Sequence, residues 1–377
     1  MRRRLILFVV LAIACSAFAA SLGAGAAGAQ TLPGEPPAPG DVGPGTPAYA
    51  VGHRSISVPV EAGRTLTGNV WYPSDGAAAA DVPFAVYAIP GASYTSTVAH
   101  EDAPVASGGP FPVVVYSHGS GGQGFISAFL TEALAGRGYV VVAVDHAGDT
   151  AIDQFTNTTL AAADNARNRI RDIGAEIAAL AAANADSASP YAGKIDVGNI
   201  GLVGHSAGGG GVLLGLAGRD TTAPLPNVKA VVGMGTYVDQ LTGADLKHDR
   251  APTMLISGTL DTTTPIAKET VRAWKDIAGR PLYRVDLKGA GHQSYTDLCY
   301  YTKLVAARPN LPAAIASAIT SRADQACTAE FLPVETAHKL VDGYVVAFFD
   351  RYVKGEVTAA KQLRNVDPKV VRFQVKR

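Results

Sequence analysis

The sequence predicts a doubly wound α/β domain over roughly residues 50–355, and three observations carry that expectation. Strand-like and helix-like segments take turns along the chain, as they must when helices cross between parallel strands. The strand-like stretches "FPVVVYSH", "GYVVVAVDH", "NIGLVGHS", "VKAVVGMG" and "PTMLISGTLD" are unbroken apolar runs. Runs without alternation suit strands covered on both faces. Hydrophobic residues make up 47% of the chain and charged residues 17%, which supplies the core that such a sheet needs.

The chain opens on "MRRRLILFVVLAIACSAFAASLGAGAAGAQ". Three arginines, an apolar run from Leu5 to about Ala14 and small-residue sites read as a secretory signal peptide, residues 1–29, cut after Ala29. The run is shorter than the ~20 apolar residues that span a bilayer, so stable membrane insertion is not expected. Cys15 follows "LAIA", which admits a lipoprotein reading, although Ala12 stands where a larger aliphatic is usual. Cleavage would put the mature protein outside the cytoplasm, secreted or in the cell envelope. Residues 30–49 are rich in Pro and Gly and read as a linker.

"SISVPV" and "LTGNVWYP" alternate as antiparallel strands do. Helical patterns fall in "ISAFLTEALAGRG", with a glycine stop signal, and in "LAAADNARNRIRDIGAEIAALAAAN". "TPIAKETVRAWKDIAG" and "ETAHKLVDGYVVAFFDRYVKG" follow. Residues 295–334 or so break the rhythm and read as an insertion, and residues 356–377 as a C-terminal tail. Once a signal peptide is removed, only Cys299 and Cys327 remain. Two cysteines in an exported protein imply one disulfide, here bracketing a small helical insertion. Tyr300 and Tyr301 within it are candidates to line an acyl pocket.

Lys+Arg and Asp+Glu are equal at 32 each, so no nucleic-acid partner is expected. The eight histidines lie at 53, 100, 118, 146, 205, 248, 292 and 338, without ligand-like pair spacing. No metal and no cofactor are expected.

Chemistry enters with "NIGLVGHSAGGGG". Ser206 follows an apolar strand and precedes a stretch that can start a helix, the context of a nucleophile elbow. Gly204 and Gly208 would give the strained serine room, and a helix N-terminus beneath it would favour developing negative charge. A glycine-rich packing turn is the plainer alternative. A serine hydroxyl needs a base. Beyond "TMLISG" stand only His292, in a glycine-rich turn after a strand, and His338, on an amphipathic helix as a surface or helix-face residue. His292 is the candidate base. Asp261, just past "PTMLISG" in a loop closed by Pro265, is the acid that would hold the imidazole in its useful tautomer. Two backbone N–H groups must face the oxyanion: Ala207, after the nucleophile, and Ser120, in "VVVYSHGSGGQG".

"WYP" at 71–73, "SHGSGG" at 117–122, "DHAGD" at 145–149, "GHSAGG" at 204–209, "GTLD" at 258–261 and "GHQSYTD" at 291–297 resemble α/β-hydrolases of the dienelactone hydrolase and platelet-activating-factor acetylhydrolase type. The motifs run in the same order over most of residues 50–350. The resemblance implies the α/β-hydrolase fold and serine ester hydrolysis without metal or cofactor, with Ser206, Asp261 and His292 as triad. True dienelactone hydrolases use cysteine where this chain has Ser206. "GHSAGGGG" and "LDTTTP" are also similar to secreted cutinase-like polyester hydrolases, which usually carry an aromatic residue in the oxyanion loop. The expected function is an exported carboxylic-ester hydrolase acting as a monomer on a small-molecule or lipid ester. A polyester hydrolase, an acyltransferase and a non-catalytic binding module are the rivals.

Overall fold

The computed structural model describes residues 47–61, 63–89, 92–218 and 223–377. The expected signal peptide, Cys15 and nearly all of the expected linker lie outside the described residues. Where the linker was expected to continue to residue 49, Ala48 and Tyr49 already donate to the Gly136 carbonyl and Tyr49 packs edge-on against Phe111.

The strands are β1 (Ala50–Glu61), β2 (Arg64–Ser74), β3 (Phe84–Ile89), β4 (Ala92–Glu101), β5 (Phe111–Ser117), β6 (Val140–Val144), β7 (Ile195–His205), β8 (Val228–Met234), β9 (Thr253–Gly258), β10 (Leu282–Leu287) and β11 (Val371–Lys376). They form one sheet in the order β11-β10-β9-β8-β7-β5-β6-β2-β1-β4-β3. From β10 to β6 all neighbours are parallel. The flanking pairs β2/β6, β1/β2, β3/β4 and β10/β11 are antiparallel. This is the mostly parallel α/β-hydrolase sheet that the sequence predicts.

Its apolar runs are covered on both faces, which is why they do not alternate. Val113, Val115, Ile200, Leu202 and Val231 join one core with Ile170 and Ile173 of the helix Ala162–Ala185 and Val212 and Leu213 of the helix Ala207–Ala217. The side chains between them point the other way. There Gly201 meets the ring of Phe349 on the helix Val334–Tyr352, which packs beside the helix Ala128–Gly136.

Three expectations are corrected. The segment after residue 355 is no tail: β11 pairs along the whole of β10 and completes the sheet edge. Tyr300 and Tyr301 are buried, Tyr300 stacking on Tyr94 and Tyr301 reaching the Tyr87 carbonyl at 3.5 Å, so they fill the space under β4 rather than an open acyl pocket. His338 is buried too, stacked on Phe129 at 3.6 Å. The insertion carries the helices Leu298–Ala306 and Ala313–Thr320 and is closed by a Cys299–Cys327 disulfide. Among the described residues no helix is long and apolar enough to cross a membrane.

Candidate active site

Ser206 sits at the turn between β7 and the helix Ala207–Ala217 with φ 54° and ψ −118°, a left-handed conformation that a residue with a side chain adopts only under constraint. The constraint is legible in its neighbours. A Cβ on Gly204 would lie 2.4 Å from the Gly208 backbone, and one on Gly208 would lie 2.0 Å from the Ser117 carbonyl. Only glycines let strand, helix and β5 approach this closely. The helix then begins directly behind the serine, with its positive end at the hydroxyl.

His292 comes from the loop after β10 and Asp261 from the loop after β9, so all three side chains meet at the C-terminal edge of the parallel strands. Ser206 Oγ lies 3.0 Å from His292 Nε2, and His292 Nδ1 lies 2.9 Å from Asp261 Oδ2. Asp261 Oδ1 accepts from the backbone N–H groups of Thr263 and Thr264 at 2.9 and 2.7 Å, and its Oδ2 accepts from the Thr264 hydroxyl at 2.6 Å. Burial pushes the Asp261 carboxyl up, but the His292 ring and the Thr264 bonds outweigh it and hold it below the usual carboxylate range. It stays an anion facing the ring. Ser206 is 9% exposed and lies at the surface limit of an otherwise buried array.

The imidazole loop is held from behind. His205 Nε2 and the His292 carbonyl are 2.9 Å apart; burial and the nearby His292 ring push His205 down to about 3, so this ring is neutral and donates. His338 Nε2 meets the Thr296 carbonyl at 3.0 Å, and burial pushes that ring down to about 3 as well. His338 is therefore a neutral prop of the loop.

Ala207 opens the helix, and the Gly119–Ser120 turn lies against the serine: a Cβ on Gly119 would be 3.1 Å from Ser206 Cβ. The Ser120 hydroxyl donates to Asp149 Oδ1 at 2.6 Å, and Gly121 N–H donates to the Asp149 carbonyl. Asp149 is in turn paired at 2.5 Å with the fully buried Arg169, which also donates to the His118 carbonyl at 2.6 Å. The structure thus brings Ser206, Asp261, His292, Ser120 and Ala207 into one region. Sequence reasoning had singled out neither Thr264, His205 nor Arg169. Asp149 was visible only as the last residue of "DHAGD". Among the described residues no cluster of ligating side chains could hold a metal ion.

A family model described as PETase, PET hydrolase-like, matches residues 103–300, just over half of the 377 residues. The chain belongs to the PET hydrolase-like family. The matched span holds Ser120, Ser206, Asp261 and His292 and leaves out β1–β4, all but the first few residues of the insertion, the helix Val334–Tyr352 and β11. The chain is similar to Cutinase est1 of Thermobifida alba, 29% identical over 167 residues, 44% of this chain and 48% of that protein. It is similar to Cutinase 2 of Thermobifida cellulosilytica, 30% identical over 156 residues, 41% of this chain and 50% of that protein. It also resembles the bis(hydroxyethyl) terephthalate hydrolase of Streptomyces coelicolor, 29% identical over 161 residues, 43% of each. The chain spans about half or less of the length of these relatives. An α/β-hydrolase of the serine esterase kind was the expectation, and the family bears it out. The cutinase-like resemblance, second in the sequence analysis, is the one these relatives carry.

Proposed function

We propose that the protein is an exported serine hydrolase that cleaves carboxylic esters through an acyl-enzyme, with Ser206 as nucleophile, His292 as base and Asp261 as orienting acid. The observation that carries this reading is the contiguous Ser206–His292–Asp261 chain, 3.0 and 2.9 Å at its two links, on a strained elbow at a helix N-terminus.

Ser206 Oγ attacks the ester carbonyl while its proton passes to His292 Nε2. Asp261, kept ionised, accepts from Nδ1–H and so leaves Nε2 free to take the proton. The tetrahedral oxygen is held by the N–H groups of Ser120 and Ala207, donors already in place before charge develops. His292 then protonates the departing alkoxide, and water repeats the sequence on the acyl-enzyme. No step in this route needs a metal. The non-catalytic reading has no use for a strained serine aimed at a base, and it falls behind.

A second reading, a polyester hydrolase, is favoured by the relatives and by the surface. Ile152 and Phe155 on the helix Ala151–Thr156 are 50% and 60% exposed, and Leu260 next to Asp261 is 43% exposed. Exposed apolar side chains of this kind suit an apolar polymer better than a small polar ester. Transfer of the acyl group to an alcohol rather than to water uses the same residues and differs only in the acceptor.

The decisive test is Ser206→Ala, assayed on p-nitrophenyl esters of increasing acyl length, on bis(hydroxyethyl) terephthalate and on a polyester film. Activity should fall by at least about a thousandfold on every substrate while the melting temperature is kept. A variant within about tenfold of the parent would remove Ser206 from the reaction. The parent's ranking of the substrates decides between the two readings, and added methanol would expose acyl transfer as methyl ester product.

A further inference from the structure

The disulfide-closed insertion reaches across the mouth of the site. Arg322, at the start of the 3-10 turn Ala323–Gln325, donates through Nη1 to the Ser120 carbonyl at 3.1 Å and through Nη2 to Gln154 Oε1 at 2.8 Å. Three residues on, the Gln325 carbonyl occupies the space where a Cβ on Gly291 would be, 2.1 Å away, and the Gln325 side chain meets Gln293 at 3.3 Å. Cys327 then ties the segment to Cys299, seven residues beyond His292. One short stretch, 322–327, therefore touches the Ser120 loop on one side and the His292 loop on the other.

We propose that Arg322 is a positioning residue for the oxyanion loop, so that the insertion sets the distance between base and oxyanion donor. This rests on the reading of Ser120 as a donor. The argument is a count of restraints on one peptide. Ser120 stands in Gly119-Ser120-Gly121-Gly122, a run whose backbone has more freedom to lose than any other composition. Upstream of Ser120, the Gly119 carbonyl accepts from the His118 ring at 2.7 Å and from Gly122 N–H at 3.0 Å. The Ser120 side chain is held by Asp149. Downstream, the Ser120 carbonyl is held by Arg322. The body of the domain also holds the far side of this peptide, where Gly121 N–H donates to the Asp149 carbonyl at 2.9 Å; the bond to the Ser120 carbonyl oxygen is the one that comes from the insertion.

The guanidinium suits this task because its planar fork can hold two acceptors at once, here a loop carbonyl and a side chain of the neighbouring helix Ala151–Thr156. Lysine would keep the charge but engage one acceptor in a less fixed geometry. Neither acceptor is charged, so the contact is a geometric clamp more than an ion pair. Arg322 also lies outside the span that the family model matches, which ends at residue 300.

The experiment compares the parent with Arg322→Met and Arg322→Lys on a soluble p-nitrophenyl ester, and measures inhibition by an aryl trifluoromethyl ketone. That ketone forms a hemiketal oxyanion with the serine and so reports on the donors directly. Arg322→Met should lower kcat by about 10- to 100-fold, less than the ~100- to 1000-fold typical of removing an oxyanion donor outright. KM should move less than threefold, and ketone affinity should fall in proportion to kcat/KM. Arg322→Lys should recover part of the kcat. A melting temperature within a few degrees of the parent shows that the loss is not unfolding. An unchanged kcat and ketone affinity in Arg322→Met would overturn the proposal, as would a defect confined to KM, which would make Arg322 a substrate contact. Failure of the underlying reading looks different: Ser206→Ala would remain active and the ketone would not inhibit the parent.

Discussion

Two serine–histidine–aspartate chains lie side by side in this protein, and only one has the surroundings of an active site. In the first, Ser206, His292 and Asp261 are linked at 3.0 and 2.9 Å. In the second, Ser117 Oγ lies 2.9 Å from His146 Nε2, and His146 Nδ1 lies 2.8 Å from Asp172 Oδ2. By distance alone the two are indistinguishable. They differ in everything else. Ser206 is strained, borders the surface and stands at a helix N-terminus. Ser117 ends strand β5, is fully buried, and its oxygen also accepts from Arg169 Nη1 at 3.1 Å. Asp172 is shared with Arg64 at 2.7 Å. Burial and the Arg169 charge push His146 down against the pull of Asp172, so the ring is a neutral structural link. A triad is therefore recognised by access, strain and oxyanion donors, and hydrogen-bond geometry is the least discriminating of its properties.

The second chain is more than an accident of packing. Its serine supplies the backbone carbonyl against which Gly208 must close, and Arg169 joins it to the His118 carbonyl and to Asp149 under the Gly119–Ser120 turn. The inner relay is the footing of the outer one.

The comparison is broken most sharply by exchanging the two acids. Asp261→Asn should cost about a thousand- to ten-thousandfold in kcat, because the amide favours the wrong imidazole tautomer, with a modest change in stability. Asp172→Asn should do the reverse. It strips a buried partner from Arg64 and His146 and should lower unfolding free energy by about 3–5 kcal/mol, with kcat of the folded enzyme kept within about tenfold. Urea unfolding beside single-turnover kinetics measures both, and a large kcat loss in Asp172→Asn would merge the two chains into one machine. Both acids are held below the ordinary carboxylate range, by His292 and Thr264 in one case and His146 and Arg64 in the other, against burial. Each thus stabilises the fold above an unfolded-state pKa near 4, and that contribution is lost as pH falls through the lower folded value.

Glu132 sharpens the contrast from the other side. It is a buried acid with no cation paired to it among the described residues, and it accepts from the Tyr87 and Ser96 hydroxyls at 2.6 and 2.7 Å. Burial pushes it up to about 7 against those two bonds. Between its unfolded pKa near 4.3 and about 7 the folded state holds the extra proton, so stability should fall as pH rises through that window. Glu132→Gln should flatten the slope, a difference on the order of 3 kcal/mol above neutrality. Chemical denaturation at pH 5 and pH 8 reads it directly, and a parallel pH dependence in the two proteins would refute it.

The smallest expected effect is that of Ser117→Ala. Losing this buried hydroxyl leaves His146 and Arg169 each short of a partner and should cost about 1–3 kcal/mol in stability. Turnover should stay within about tenfold of the parent, where Ser206→Ala should abolish it. A Ser117→Ala enzyme as inactive as Ser206→Ala would mean that the inner serine takes part in the chemistry.

What the sequence determined by itself was whatever local sterics encode. Gly204 and Gly208 around Ser206 announce an elbow because only glycine permits the close approaches made there. Unbroken apolar runs announce strands covered on both faces, and chain order then leaves His292 and Asp261 as the partners at strand ends. Two cysteines beyond the expected leader announce their own pairing. What only the tertiary structure decided depends on distances between residues far apart in the chain. The strand β4 escaped notice because its polar, partly exposed pattern resembles loop, and β3 and β11 because a short edge strand is defined by its neighbour, β4 or β10. Tyr300, Tyr301 and His338 looked like pocket or surface residues until packing buried them. Arg322 lies 202 positions from the Ser120 carbonyl that it holds, and Ser117 lies 29 and 55 positions from the histidine and acid of its relay. No local pattern records such contacts: they exist only once the sheet has brought its strand ends together.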